Sequence, residues 1–211
     1  MTMKKFSFLV TVFFACVLAQ AQTISDADFA ILEKVNQANI KNTSMTSDFA
    51  QIKHMAILGE DIKSNGKLYY GKPEKMALWY TDPAGDLMLI NEDRCIMVAS
   101  GKKREVSAKA NAKMRGMKNI LTASLQGGML QMGASKITCS EDAKFYIITA
   151  DIDGKVNKSH IKKVVVHYSK SDLTLSILRT EEADGSYTVY ELKNKAMNQP
   201  IDEKYFTPAK K

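Results

Sequence analysis

The run from Gly66 to Pro83, GKLYYGKPEKMALWYTDP, limits the choice of fold more than any other stretch of the chain. Two short segments rich in Leu, Tyr and Trp flank a Gly71-Lys72-Pro73-Glu74 turn, which is the pattern of a β-hairpin. Along the second segment, strand alternation puts Met76, Leu78 and Tyr80 on one face and Ala77, Trp79 and Thr81 on the other. Both faces carry apolar bulk. Such a strand either lies between two covering layers or lines a cavity.

The rest of the chain repeats this pattern. Strands are expected at 46–57, 62–70, 75–81, 87–91, 95–99 and 103–106, then at 137–140, 145–150, 161–168, 173–179 and 187–193. Asp153-Gly154 and Asp184-Gly185 are turn signals between them. Consecutive, turn-linked strands of this kind make an antiparallel meander. A leading helix over 26–41 is expected from the Ser25/Asp28 cap and from Ile31, Leu32, Val35 and Ala38 at helical spacing. Between about Ala108 and Met132 the meander is interrupted. Met114, Met117, Leu121 and Leu125 follow the three-and-four spacing of an amphipathic helix, with Met129, Leu130 and Met132 beyond them. Gly116 and Gly127-Gly128 mark this insertion as breakable, and its methionines adapt to irregular apolar shapes. The expected fold class is mainly β (α+β): an incomplete antiparallel β-barrel or strongly curved sheet, with a helical lid over an apolar cavity. The tail through Tyr205 and Phe206 would pack its aromatics back on the sheet.

Residues 1–21 read as a secretory signal peptide. Lys4 and Lys5 form a basic start, 6–18 is an apolar run too short to span a bilayer, and Ala19-Gln20-Ala21 is a small-x-small cleavage site. Lipidation at Cys16 is the competing reading, and Phe13-Phe14-Ala15 fits it poorly. Residues 22–211 then form a single exported domain. Removing Lys4 and Lys5 leaves 28 basic against 23 acidic side chains, taking the net charge from +7 to +5. The densest basic run is Lys102 to Lys118. In an exported protein this charge argues against nucleic acid and for transient contact with an anionic membrane surface, or simply for a solvated face.

Chemistry-bearing motifs are scarce. His54, His160 and His167 form no His-x-x-x-His array, and the chain has no Gly-x-Ser-x-Gly elbow, phosphate-binding loop or dinucleotide fingerprint. No enzyme is expected, and neither a metal nor a cofactor. Cys95 and Cys139 fall on separate expected strands, and the export compartment leaves a disulfide between them open.

The ordered set Phe49-Ala50-Gln51, Gly66-Lys67-Leu68, Lys72-Pro73, Leu78-Trp79-Tyr80-Thr81-Asp82-Pro83 and Tyr205-Phe206-Thr207-Pro208 resembles the periplasmic lipoprotein carrier family, the LolA/LolB type. The resemblance implies a half-barrel that holds lipoprotein acyl chains beneath a lid. It implies acylated lipoproteins as cargo, an inner-membrane lipoprotein exporter as donor, an outer-membrane acceptor and a monomeric carrier. Leu68, Tyr70, Met76, Leu78, Tyr80, Leu87, Leu89, Ile96 and Val98 are the expected cavity lining, with Met114, Met117, Leu121 and Leu125 from the lid. In the family an arginine before the proline helps hold the lid. Lys72 stands there, and lysine lacks the guanidinium fork. Met76 likewise replaces a family aromatic, and the turn Asn91-Glu92-Asp93-Arg94 lacks the family's glycine. A carrier or sensor of another amphiphile, a glycolipid or phospholipid, is the alternative on the same fold. A closed sandwich without a cavity is the third reading.

Overall fold

A computed structural model describes residues 24–155 and 159–207. Residues 1–21, read above as a signal peptide and including Cys16, therefore lie outside the described residues, as does Pro208. Among the described residues there are two α-helices, α1 (Asp26–Asn39) and α2 (Ala112–Gln126). Eleven strands accompany them: β1 (Ser44–Met55), β2 (Glu60–Gly71), β3 (Lys75–Asp82), β4 (Leu87–Asn91), β5 (Arg94–Ala99), β6 (Lys102–Ser107), β7 (Ala134–Glu141), β8 (Phe145–Ile152), β9 (Ile161–Ser169), β10 (Leu175–Glu182) and β11 (Tyr187–Met197). Single 3₁₀ turns follow at Met129–Met132 and Glu203–Phe206.

All eleven strands form one antiparallel sheet, in the order β6-β5-β4-β3-β2-β1-β11-β10-β9-β8-β7. It is two meanders joined where β1 pairs with β11. β6 and β7 are its two edges, so the curved sheet is not closed into a barrel. This order dictates the lid. The chain leaves the sheet at one edge and must re-enter at the other, and α2 is the connection. It crosses the concave face and rests on β9 and β10, while α1 sits against β7.

Local chemistry fixes the helices. Ser25 Oγ accepts from the Asp28 N–H at 3.1 Å and caps α1. Asp28 Oδ1 in turn accepts from the Cys139 N–H at 2.7 Å, which ties α1 to edge strand β7. Asn39, 1% exposed, donates to the Val35 and Leu173 carbonyls at 2.9 and 2.7 Å. α2 starts at Asn111, whose side chain accepts from the Met114 N–H. It runs unbroken through Gly116, against expectation, and ends at Gly127 with φ 70°. A side chain at Gly127 would also meet the Val35 carbonyl oxygen at 2.9 Å, so glycine lets the two helices approach closely.

The strand expected from Leu173 begins instead at Leu175, because Leu173 occupies a left-handed turn at φ 57°. The tail packs back as expected. Tyr205 stacks on Tyr69 at 4.1 Å, its carbonyl accepts from Trp79 Nε1 at 2.9 Å, and Phe206 is buried. Cys95 and Cys139 are free thiols. Burial and the Asp28 carboxylate push Cys139 up to about 12, and burial raises Cys95, so neither is a ready nucleophile.

His167 is packed edge-on to Phe145, and its Nδ1 has no hydrogen-bond partner among the described residues. Burial pulls its pKa below the ordinary value, against the smaller opposing pull of Asp142. The unfolded chain thus binds this proton more readily than the folded one. The contribution is intact above about pH 6.5 and is lost as pH falls through the depressed value. His167→Gln is expected to flatten the stability loss between pH 7 and pH 5, measured by urea unfolding against the parent protein.

Candidate functional site

The site is the contact between the concave face of the sheet and α2. Pairing register decides which residues face it. Leu68 pairs with Leu78, and Tyr70 with Met76, so these four share the concave face. In the next hairpin Met76 pairs with Ile90 and Leu78 with Met88, which keeps even-numbered residues of β4 on that face. Tyr190, Leu192, Leu178, Val166 and Ile148 continue the apolar surface across the other meander. From α2, Ile120, Leu121, Ala123 and Leu125 descend onto it, and Met129 and Met132 beyond are 1% exposed.

Between the layers lies a cavity of about 20 Å³. Leu68, Met76, Leu78, Leu175, Leu178, Tyr190 and Leu192 line it from the sheet side, and Leu121 and Leu125 from α2. Ligand pockets generally measure about 300–1,000 Å³. In this conformation side chains of the sheet and of α2 fill most of the space between the two layers.

Five of the expected site residues are therefore brought together on this cavity: Leu68, Met76, Leu78, Leu121 and Leu125. Tyr70 and Tyr80 share the concave face but flank the cavity, Tyr70 toward α2 and Tyr80 beside Phe49 at 5.2 Å between ring centres. Leu87, Leu89, Ile96 and Val98 are placed elsewhere. With Trp79 they form a separate apolar cluster on the convex face, beside the C-terminal 3₁₀ turn. The reason is register: in β4 the odd-numbered residues pair with Ala77 and Trp79, the outward residues of β3. Alternation within each strand was readable, but the phase carried through the β3–β4 turn was not. β3 is thus apolar on both faces because each is covered, by α2 on one side and by the tail on the other.

The lid face is also rotated from expectation. Met114 is half-buried against the core, whereas Met117 is 36% exposed and Lys118 takes the inward position. Lys118 Nζ meets Glu74 Oε2 at 2.8 Å and donates to the Glu92 carbonyl at 3.4 Å. Gln126 Nε2 donates to the Tyr70 hydroxyl at 2.5 Å, and the Tyr168 hydroxyl to the Ser124 carbonyl at 2.6 Å. These contacts pin α2 at its middle and at its C-terminal end. Lys72, expected at the lid, instead donates from Nζ to the Ile40 carbonyl at the end of α1. A single ammonium satisfies one helix terminus there, and the lid is held by other residues. None of Lys118, Gln126 or Tyr168 stood out in the sequence. Glu74, in the hairpin turn beside Lys72-Pro73, was the nearest legible signal.

The histidines lie apart from this cavity. His54 faces Asp61 at 2.7 Å and stacks on Tyr187, His160 is exposed, and His167 packs on Phe145. Among the described residues no group of three or more His, Cys, Asp or Glu side chains could hold a metal ion. No helix among them is long and apolar enough to cross a membrane.

An open, curved sheet with a helix latched over an apolar interior is a binding and carrier fold. The family described as "Outer membrane lipoprotein carrier protein LolA" matches residues 41–209. The chain belongs to the LolA family. No curated protein matches the chain. Among solved structures, an uncharacterized conserved protein from Thermus thermophilus is 8% identical, with 88% of this chain and 95% of that one aligned at a TM-score of 0.53. MucB is 10% identical over 88% of this chain and 64% of that one, also at 0.53. A LolA superfamily protein from Nitrosomonas europaea is 11% identical over 86% and 97%, at 0.42. At these identities the likeness is one of fold.

Proposed function

We propose that this protein is a periplasmic carrier that holds the acyl chains of lipoproteins between the concave sheet face and α2. In this reading an inner-membrane exporter loads it, and it delivers cargo to the outer membrane or an acceptor there. The observation that carries the proposal is the leucine-rich contact between sheet and lid, with the lid latched by a few polar contacts. Each acyl methylene moved from water into that interface gains about 0.8 kcal/mol, which favours opening. The lid's apolar residues must give way in exchange, so affinity stays finite and release remains accessible. Transient contact with a membrane surface is supported by two features. Ile57 and Leu58 at the β1–β2 turn are 87% and 58% exposed, and Lys102, Arg104 and Lys113 have no carboxylate partner among the described residues.

Solvent extraction and mass spectrometry of the protein purified from a periplasm without detergent tests the reading. Acylated peptide in the extract supports it; glycolipid or phospholipid alone moves the function to another amphiphile. A latch variant adds a kinetic test. Lys118→Met keeps the aliphatic packing and removes the Glu74 pair, so uptake of a fluorescent fatty acid is expected to quicken by about fivefold, from loss of about 1 kcal/mol of lid anchoring. Uptake at the parent rate would show that the pair does not hold the lid.

A further inference from the structure

We propose that the polar groove beside α2 receives the polypeptide that follows the acylated end of the cargo, so that the acyl chains and the first residues of the bound protein occupy adjoining sites. The inference rests on the carrier reading and adds a second subsite to it. Two openings of about 340 and 570 Å³ share Lys72, Glu74, Thr122 and Gln126, and so form one groove. Its walls are the end of α1 and the β2–β3 turn, and its floor is the outer side of α2. The same helix serves both sites. Leu121 and Leu125 line the apolar cavity, and their neighbours Thr122 and Gln126 line the groove. Gln126 also reaches through to the Tyr70 hydroxyl on the concave face. A chain emerging from under the lid here enters the groove.

Its chemistry suits a peptide. Asn119 and Gln131 each present an amide donor and acceptor, the pair a peptide unit also carries, while the Asn36 and Gln126 amides already donate to the Gly127 carbonyl and the Tyr70 hydroxyl and offer their oxygens. Asn119, Thr122 and Gln131 have side chains without partners among the described residues. The groove offers an anionic phospholipid headgroup no cluster of cations: Lys72 is its one lining cation and already donates to the Ile40 carbonyl, and the lining carboxylates Glu74 and Asp93 are paired with Lys118 and Lys109. No aromatic ring lines it to stack against a sugar.

The test compares three probes on the purified protein: a diacylated cysteinyl peptide with an uncharged tail, the same diacylated cysteine as its methyl ester, and phosphatidylglycerol. The parent protein is expected to bind the peptide probe most tightly. The double variant Asn119→Ala/Thr122→Ala, at positions that carry no partner, is expected to weaken that probe by about tenfold and leave the methyl ester unchanged. Its melting temperature should not fall below the parent's, because alanine is the better helix former at both positions. Equal affinity of the parent for peptide and ester, or equal weakening of both in the variant, would overturn the groove alone. Tightest binding of phosphatidylglycerol would assign the groove to a headgroup instead and overturn the peptide proposal. If neither diacylated probe binds the parent, the carrier reading fails together with the groove.

Discussion

Gly66→Ala is expected to destabilise the protein by about 3 kcal/mol, the upper end of the range for overpacking a tight interior. A Cβ at this position would stand 2.1 Å from the Trp79 carbonyl oxygen and 2.7 Å from the Phe49 ring. The first obstacle is backbone and cannot rotate away. It lies beside the point where the β2–β3 register shifts, between Asn65 and Gly66. The second is a ring already set edge-on to Tyr80 at 5.2 Å and to Tyr190 at 6.1 Å. Accommodating one methyl group must either part β2 from β3 or break that aromatic cluster. Urea unfolding should show a lower midpoint at unchanged slope, and the melting temperature should drop by about 6–12 °C. A variant within about 0.5 kcal/mol of the parent would mean that the close approach is not a native constraint.

Tyr168→Phe is expected to cost about 2 kcal/mol and to act on the lid first. Tyr168 is fully buried on β9, and its hydroxyl donates to the Ser124 carbonyl in the last turn of α2. That carbonyl belongs to the terminal set a helix cannot satisfy internally, and both the Gly127 and Gly128 N–H groups turn to Ala123 instead. Phenylalanine keeps the ring volume and removes only the donor. Hydrogen exchange of the amides from Leu121 to Leu125 should quicken while β8 and β9 stay protected. Equal acceleration across sheet and helix would contradict a lid-specific role, and no change in either would contradict the capping role itself.

The fold was largely legible because hydrophobic period and turn chemistry act locally. Strand alternation marked β3 as apolar on both faces, and the break in alternation after Ser107 marked the helical insertion. The facing of β4 and β5 was not legible. Whether Leu87 or Met88 points inward depends on the residue-by-residue pairing across the β3–β4 turn, a tertiary fact that alternation within one strand does not carry. The latch was hidden for a related reason. Lys118 looked like one more member of a basic run, and only the rotation of α2 against the Glu74 turn turns it inward. Tyr168 lay in a near-continuous apolar strand, where nothing local distinguishes a helix-capping hydroxyl from core filling. The motif residues fared better once given a physical meaning. Gly66 is where β3 comes too close for a side chain, Phe49 packs beside it, and Gln51 donates to the Tyr190 hydroxyl at 2.8 Å.

Photo-crosslinking of a diacylated cysteinyl peptide with a diazirine in one acyl chain tests the central claim most directly. After irradiation of the complex, digestion and mass spectrometry locate the labelled residues. The account predicts labels on Leu68, Met76, Leu78, Leu121, Leu125 or Leu178, on the concave face and the underside of α2. Labels confined to Trp79, Leu87, Leu89 and Ile96 on the convex face would contradict it, as would a bound peptide that leaves the sheet–lid contact unlabelled.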